Sequence, residues 1–261
     1  GEMIVLRQGR KSLPLVWTHL IPATFEGRAR MNVVNALAAT AAAWAAGAHL
    51  HDIRQGLRTF ATSYFQAPGR LNLFELDGYR VLVDYAHNPH AMTALGAFIE
   101  AMAAETSNGH HPLVTGHRIG VIATAGDRRD RDIRELGRVA STYFDTIVIR
   151  EDANPRGRRR GTTADLIREG IETGVRDGAR CRAIETVLDE LAATRRALDL
   201  GREGDLVVLC VDHPNLAWKE LQHRRHGTPA GGPDGSPADD IVSGTLVEPA
   251  EEEEEDLAPF A

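Results

Sequence analysis

From residue 71 onward the chain alternates short apolar runs with stretches of helical length, and this rhythm restricts the fold more than any other feature. Runs such as Leu206-Val207-Val208-Leu209 are continuous rather than alternating. Continuous runs suit strands buried on both faces of a parallel sheet. The pattern predicts strands over 71–76, 79–84, 118–124, 146–150, 180–184 and 205–211, with helices over 89–103, 130–143, 162–173, 187–200 and 214–222. Asp77-Gly78 joins the first two strands and is a two-residue hairpin signal. The expected fold is therefore α/β, an open and mostly parallel sheet with one antiparallel hairpin edge. Ligands of such sheets bind beyond the carboxyl ends of the strands.

The first 60 residues read differently. Strands over 3–6 and 13–17 flank the polar turn Gln8-Gly9-Arg10-Lys11. A helix over 32–46 holds eight alanines in fifteen residues, and alanine is the strongest helix former. Gly47 is its expected terminator. A second helix over 52–60 is expected to be capped by Asp52. Pro68-Gly69 punctuates a connector at 64–70. The expected division is 1–66, 67–225 and a tail from 226. That tail has five prolines, five glycines and the run Glu251 to Asp256, and is expected to be disordered. The polar insert at 106–116 is expected to be a loop.

Charge excludes some partners once its distribution is considered. Thirty Lys and Arg stand against 37 Asp and Glu, but ten of those acids lie beyond residue 225. Residues 1–225 therefore carry 30 basic against 27 acidic side chains, a net +3. A near-neutral body points to neither nucleic acid nor a membrane surface. No apolar run reaches the length of a membrane span, and the start has no signal-peptide pattern. Cys181 and Cys210 are too few for a disulfide framework, so reduced thiols and a cytoplasmic location are expected. The first residue is Gly1, which fits a chain that begins inside a longer protein.

The segment Val81-Leu82-Val83-Asp84-Tyr85-Ala86-His87-Asn88-Pro89 carries the clearest chemistry. An apolar strand ends in an acid, makes a short loop and opens a helix at Pro89, a residue suited to a first helical turn. A carboxylate there can hold a ribose hydroxyl, and a His beside a helix amino end can meet a phosphate. Spacing alone is equally consistent with Asp84 as a local cap and His87 as a loop residue. Asp84, His87 and His90 lack further ligands at metal-site spacing, so no metal set is assigned.

Asp84-Tyr85-Ala86-His87-Asn88-Pro89 resembles the start of the C-terminal domain of the Mur ligase superfamily, which includes muramyl peptide ligases and folylpolyglutamate synthase. Asn32-Val33-Val34-Asn35, followed by Ala38-Ala39, resembles the Asn-x-x-Asn helix of the family's central ATPase domain. Pro68-Gly69-Arg70 resembles its linker arginine, and Gly126-Asp127-Arg128-Arg129-Asp130 its second C-terminal loop. Within the superfamily the likeness is strongest to the cyanophycin-forming branch. There it extends over Asn72-Leu73-Phe74-Glu75, residues 127–138, Ile149-Arg150-Glu151-Asp152 and Gly204-Asp205-Leu206-Val207-Val208, about residues 25 to 222 in all. The resemblance implies a Rossmann-like C-terminal lid domain over 67–225, preceded over 1–66 by the incomplete end of a central domain.

It further implies ATP-driven amide synthesis. A carboxylate takes the γ-phosphate, an amine attacks the acyl phosphate, and a tetrahedral intermediate expels phosphate. In the cyanophycin branch the amine belongs to arginine and the carboxylate is the β-carboxyl of an aspartate polymer. By motif, Asn32 and Asn35 would lie near adenine and Asp84 at the ribose, while Arg70 and His87 would face the phosphates as catalytic groups. Positive charge placed there lowers the barrier electrostatically. For the acceptor, Asp127, Arg128, Asp130, Glu151 and Asp152 lie at loops expected at strand ends, where carboxylates can bind a guanidinium. Asn154-Pro155-Arg156 is similar to the amino-acid-binding motif of one muramyl ligase branch and departs from the cyanophycin pattern. Arg156, Arg158, Arg159 and Arg160 fit either an acidic polymer or a solvated basic loop. The chain has no Gly-x-x-x-x-Gly-Lys-Ser/Thr loop, so the triphosphate cradle and the Mg²⁺ ligands are expected upstream and the isolated chain is expected to be inactive. A homo-oligomeric full-length enzyme is expected. The alternatives are another Mur-type ligase or a non-catalytic binding module.

Overall fold

The computed structural model describes residues 2–104 and 112–225. The expected acidic tail over 226–261 and most of the expected loop at 106–116 lie outside the described residues. Two strands, β1 (Met3–Gln8) and β2 (Lys11–Trp17), form an antiparallel hairpin. Short 3-10 turns lead from it to α1 (Arg30–Ala45), and α2 (Leu50–Thr59) follows. Gly47, at φ +88°, ends α1 as expected. Asp52 does not cap α2. The helix starts two residues earlier than expected, with His49 at its N-cap and no side-chain cap. Asp52 sits inside the first turn, where its charge still favours the helix dipole. Ile4, Val16, Ile21, Ala36 and Ile53 form a small core between hairpin and helices.

The larger part begins with the hairpin β3 (Asn72–Leu76) and β4 (Tyr79–Asp84), turned by Asp77 and Gly78 at positive φ. Then come α3 (Pro89–Ala103), β5 (Arg118–Ile122), α4 (Asp130–Tyr143), β6 (Thr146–Ile149) and α5 (Thr162–Arg176). The series ends with β7 (Ala183–Thr186), α6 (Glu190–Leu200), β8 (Leu206–Cys210) and α7 (Pro214–Arg225). The sheet order is β3-β4-β8-β5-β6-β7, antiparallel only between β3 and β4. The last strand thus returns to the middle of the sheet.

Both faces of the sheet are covered. Leu82, Ile122 and Val208 pack with Phe98 of α3, Ile133 of α4 and Ile167 of α5. Val81, Val121 and Val207 pack with Ala193 and Ala197 of α6 and Leu221 of α7. Neighbouring residues on a strand face opposite ways, so the continuous apolar run in β8 serves two cores. Strand β7 begins three residues later than expected. The Cys181 N–H donates to the Ser141 carbonyl and the Arg182 N–H to the Asp145 carbonyl, which engages those residues before the ladder starts.

The connector is fastened to this larger part. Trp218 of α7 stacks on Tyr64, ring centres 4.4 Å apart, and touches Phe65 and Phe74. The buried Asn72 side chain accepts from the Gly69 N–H at 2.7 Å and donates to the Thr62 and Ala67 carbonyls. Upstream, the Phe25 ring packs on Phe98 of α3.

Helices α4 and α5 meet through glycines. A Cβ on Gly170 would stand 1.9 Å from the Arg134 carbonyl oxygen, and one on Gly137 2.1 Å from that of Ile167. Gly170→Ala is therefore expected to destabilise the chain by about 1–3 kcal/mol, the usual cost of overpacking. Urea unfolding checks this, and an unchanged midpoint would mean that the helices part freely.

Candidate functional site

Two hollows hold the polar side chains singled out above. The first is a mostly apolar cavity of about 820 Å³ between α1, α2, the connector and the start of α3. Asn32, Asn35, Arg70 and Asp84 all line it, as does His90. Asn32 and Asn35 are nearly one turn apart on α1. The Asn35 Nδ2 donates to Asn32 Oδ1, and the Asn32 Nδ2 donates to the Ala23 carbonyl.

Asp84 closes β4 and faces the connector. Its Oδ2 accepts from the Leu71 N–H at 3.0 Å and its Oδ1 from the Ala86 N–H at 2.9 Å. Burial raises its pKa above the ordinary 3.8, while those amides and the Arg70 charge pull it back. The Arg70 guanidinium lies 5.3 Å from the centre of the Tyr85 ring, a cation–π distance. On the following loop, the His87 Nδ1 is 2.7 Å from the Tyr85 carbonyl. A carbonyl only accepts, so Nδ1 carries the hydrogen and Nε2 is left for another partner. Asn88 then caps α3 by accepting from the Ala91 N–H.

The second hollow is a crevice of about 450 Å³ beyond the carboxyl ends of four strands. Tyr85 and His87 line it after β4, Asp212 after β8, Asp127 and Arg128 after β5, and Asp152 and Arg156 after β6. The Arg156 guanidinium reaches Asp127 at 3.3 Å and Asp152 at 3.4 Å. The Arg128 Nε is buried with no hydrogen-bond partner among the described residues. Thus His87 lines the crevice, whereas Asn32, Asn35, Arg70 and Asp84 line the cavity.

Three expected acceptor residues line neither hollow. Glu151 is buried and accepts the Gly161 N–H at 2.8 Å and the Ala164 N–H at 3.0 Å. It caps α5, whose N-cap Gly161 has no side chain to do so. Asp130 pairs with Arg158 at 2.7 Å. Asn154 Oδ1 accepts the Arg156 N–H and turns the loop that presents Arg156 at φ +49°. Arg158 also donates to the carbonyls of Gly126 and Arg128, so it braces one loop against another. Sequence reasoning missed Tyr85 and Asp212. A signal for Asp212 existed, because Cys210-Val211-Asp212-His213-Pro214 repeats the order of strand, acid and helix-opening proline seen at Asp84. Among the described residues no group of three or more His, Cys, Asp or Glu is arranged to hold a metal ion. No described helix is long and apolar enough to cross a membrane.

Fold and site together define an open-sheet α/β protein that gathers its polar side chains beyond the carboxyl ends of β4, β8, β5 and β6. The chain belongs to the Mur ligase family: the family's "Mur ligase, glutamate ligase domain" matches residues 69–211. It is 42% identical over 214 residues to the cyanophycin synthetase of Nostoc sp., which covers 80% of this chain and 22% of that protein. With the Synechocystis sp. cyanophycin synthetase it shares 42% over 222 residues, 85% of this chain and 24% of that protein. The chain thus spans less than a quarter of these relatives' length. A UDP-N-acetylmuramyl-tripeptide synthetase of Roseiflexus sp. is 34% identical over 181 residues, 68% of this chain and 32% of that protein. Among solved structures, E. coli FolC in complex with ADP shares the fold, with a TM-score of 0.52, 22% identity, and coverage of 74% of this chain and 40% of that one. Thermotoga maritima UDP-N-acetylmuramate-alanine ligase does so with a TM-score of 0.50, 17% identity, and coverage of 76% and 38%.

The raised pKa of Asp84 has a stability consequence. Its folded value lies above its unfolded one, so the native state binds more protons across that window and stability falls as pH rises through it. Asp84→Asn is expected to flatten this decline. Urea unfolding of both proteins from pH 3.5 to 7 tests it, and parallel curves would reject the assignment to Asp84.

Proposed function

We propose that this chain is the C-terminal lid of an ATP-dependent carboxylate–amine ligase, joined over residues 1–66 to the closing part of its central ATPase domain. The observation that carries the reading is that Asn32, Asn35, Arg70 and Asp84, far apart in sequence, line one cavity. In this reading the cavity takes the nucleoside of ATP. Asn32 and Asn35 meet the base, and Asp84 accepts from the ribose hydroxyls. Arg70, parked over Tyr85, and His87, with Nε2 free, serve the phosphates. Their charge or hydrogen bonds offset the negative charge that develops during phosphoryl transfer.

The crevice takes the incoming amine. Asp127, Asp152 and Asp212 suit a cationic amino acid, and Arg128 suits its carboxylate. The similarity to cyanophycin synthetases favours arginine, added to the β-carboxyl of an aspartate polymer. The carboxylate oxygen attacks the γ-phosphorus and ADP leaves. The amine nitrogen then attacks the acyl carbon, and phosphate departs with the former carboxylate oxygen while the amine loses a proton. Mg²⁺ would offset phosphate charge; among the described residues no group of three or more His, Cys, Asp or Glu is arranged to hold it.

Two outcomes are expected. The 261-residue chain binds ATP, and Asn35→Ala and Arg70→Ala each weaken binding about tenfold or more, as loss of a hydrogen bond or of a charged contact would. Equilibrium titration with ATP checks this, and unchanged affinity in both variants would reject the nucleotide cavity. The isolated chain turns over no ATP with arginine present, for want of a phosphate loop; a coupled ADP assay that detects arginine-dependent turnover would contradict this.

A further inference from the structure

We infer that Asp212, held in place by the buried Arg150, is the anchor for the ammonium group of the incoming amino acid. The inference rests on the reading that the crevice takes the amine substrate. Arg150 leaves the end of β6 and is 2% exposed. Its Nε and Nη2 donate to the Cys210 carbonyl at 3.1 and 2.9 Å. Its Nη1 reaches Asp212 Oδ2 at 2.8 Å and Glu190 at 3.0 Å. Glu190 also accepts the backbone N–H groups of Asp212 and His213, at 2.9 and 3.0 Å. Side chain and backbone of Asp212 are therefore both clamped.

A buried cation is costly in lost hydration unless its hydrogen bonds are satisfied. Here they are satisfied, and the arrangement fixes one carboxylate at the crevice wall. Asp212 differs from the other two acids there. Asp127 and Asp152 both bind Arg156. Asp212 offers Oδ1, to which no group among the described residues donates.

Sheet order decides which end of the substrate meets it. Asp212 follows β8, the neighbour of β4, which ends in Asp84 and is followed by the loop bearing His87. Asp152 follows β6, two strands from β8, about 10 Å away. The reacting amine has to lie toward the phosphate side, and a long side chain then extends across β5 toward Asp127 and Asp152. A carboxylate beside β4 holds the amine end and leaves the side-chain end to the others.

Calorimetric titration of the 261-residue chain with L-arginine and with Nα-acetyl-L-arginine, which lacks the ammonium, tests this. The wild-type chain is expected to favour arginine at least tenfold. Asp212→Asn equalises the two ligands, and Asp212→Ser repeats the result should the first variant fold poorly. Asp152→Asn weakens both ligands alike and keeps the preference. A preference that survives in Asp212→Asn overturns the proposal and leaves the crevice reading intact. Equal binding of leucine and arginine, both lost in Asp212→Asn, supports Asp212 and rejects arginine as the substrate. No binding of any amino acid at millimolar concentration overturns both.

Discussion

The return of β8 between β4 and β5 is the constraint on which the rest depends. It makes β4, β8 and β5 neighbours although α3, α4, α5 and α6 separate them in sequence. Because helices cover both faces, the middles of β4, β8, β5 and β6 are apolar, and their charged side chains stand at the strand ends. Four carboxyl ends then lie side by side, each followed by a loop bearing charge. The crevice is the gap between those loops.

A second consequence lies at Asp84. Its carboxylate is shielded from water, which disfavours its charge, yet it is held by amides from two places, the connector at Leu71 and its own loop at Ala86. The group that faces the cavity is thus also the clasp between connector and sheet. Tyr85 extends the link: its ring meets Arg70 from the cavity side and His87 from the crevice side. One aromatic ring thus touches a residue of the cavity and a residue of the crevice.

The strands and helices were legible because each core demands its own periodicity, and β8 shows both demands in one run. Sheet order was not legible, since nothing in Leu206-Val207-Val208-Leu209 says which strands it will join. Long-range pairing also explains the errors at single residues. Glu151 read as a free carboxylate at a strand end, but the two amides that hold it belong to Gly161 and Ala164, beyond a loop whose path the sequence does not give. Arg158 read as one of four surface arginines, yet it is bound to Gly126, Arg128 and Asp130. Asp212 stands beside a His and a Pro that look like an ordinary helix start, and its importance comes from Arg150, 62 positions away.

Arg156 shows what the far side of the crevice is built to hold. One guanidinium spans Asp127 and Asp152, one nitrogen to each, so the spacing of those two acids already suits a planar, forked cation. The contacts are partly exposed and longer than 3.2 Å, and surface pairs of this kind contribute only about 0–1 kcal/mol. Arg156 also sits at positive φ in a loop turned by Asn154 and followed by Gly157. A weak ion pair on a strained loop is displaced at little cost. In the ligase reading, a substrate guanidinium competes with Arg156 for the same two acids, which select the side chain, while the rigid end of the crevice, where Arg150 and Glu190 hold Asp212, fixes the amine that every amino acid shares.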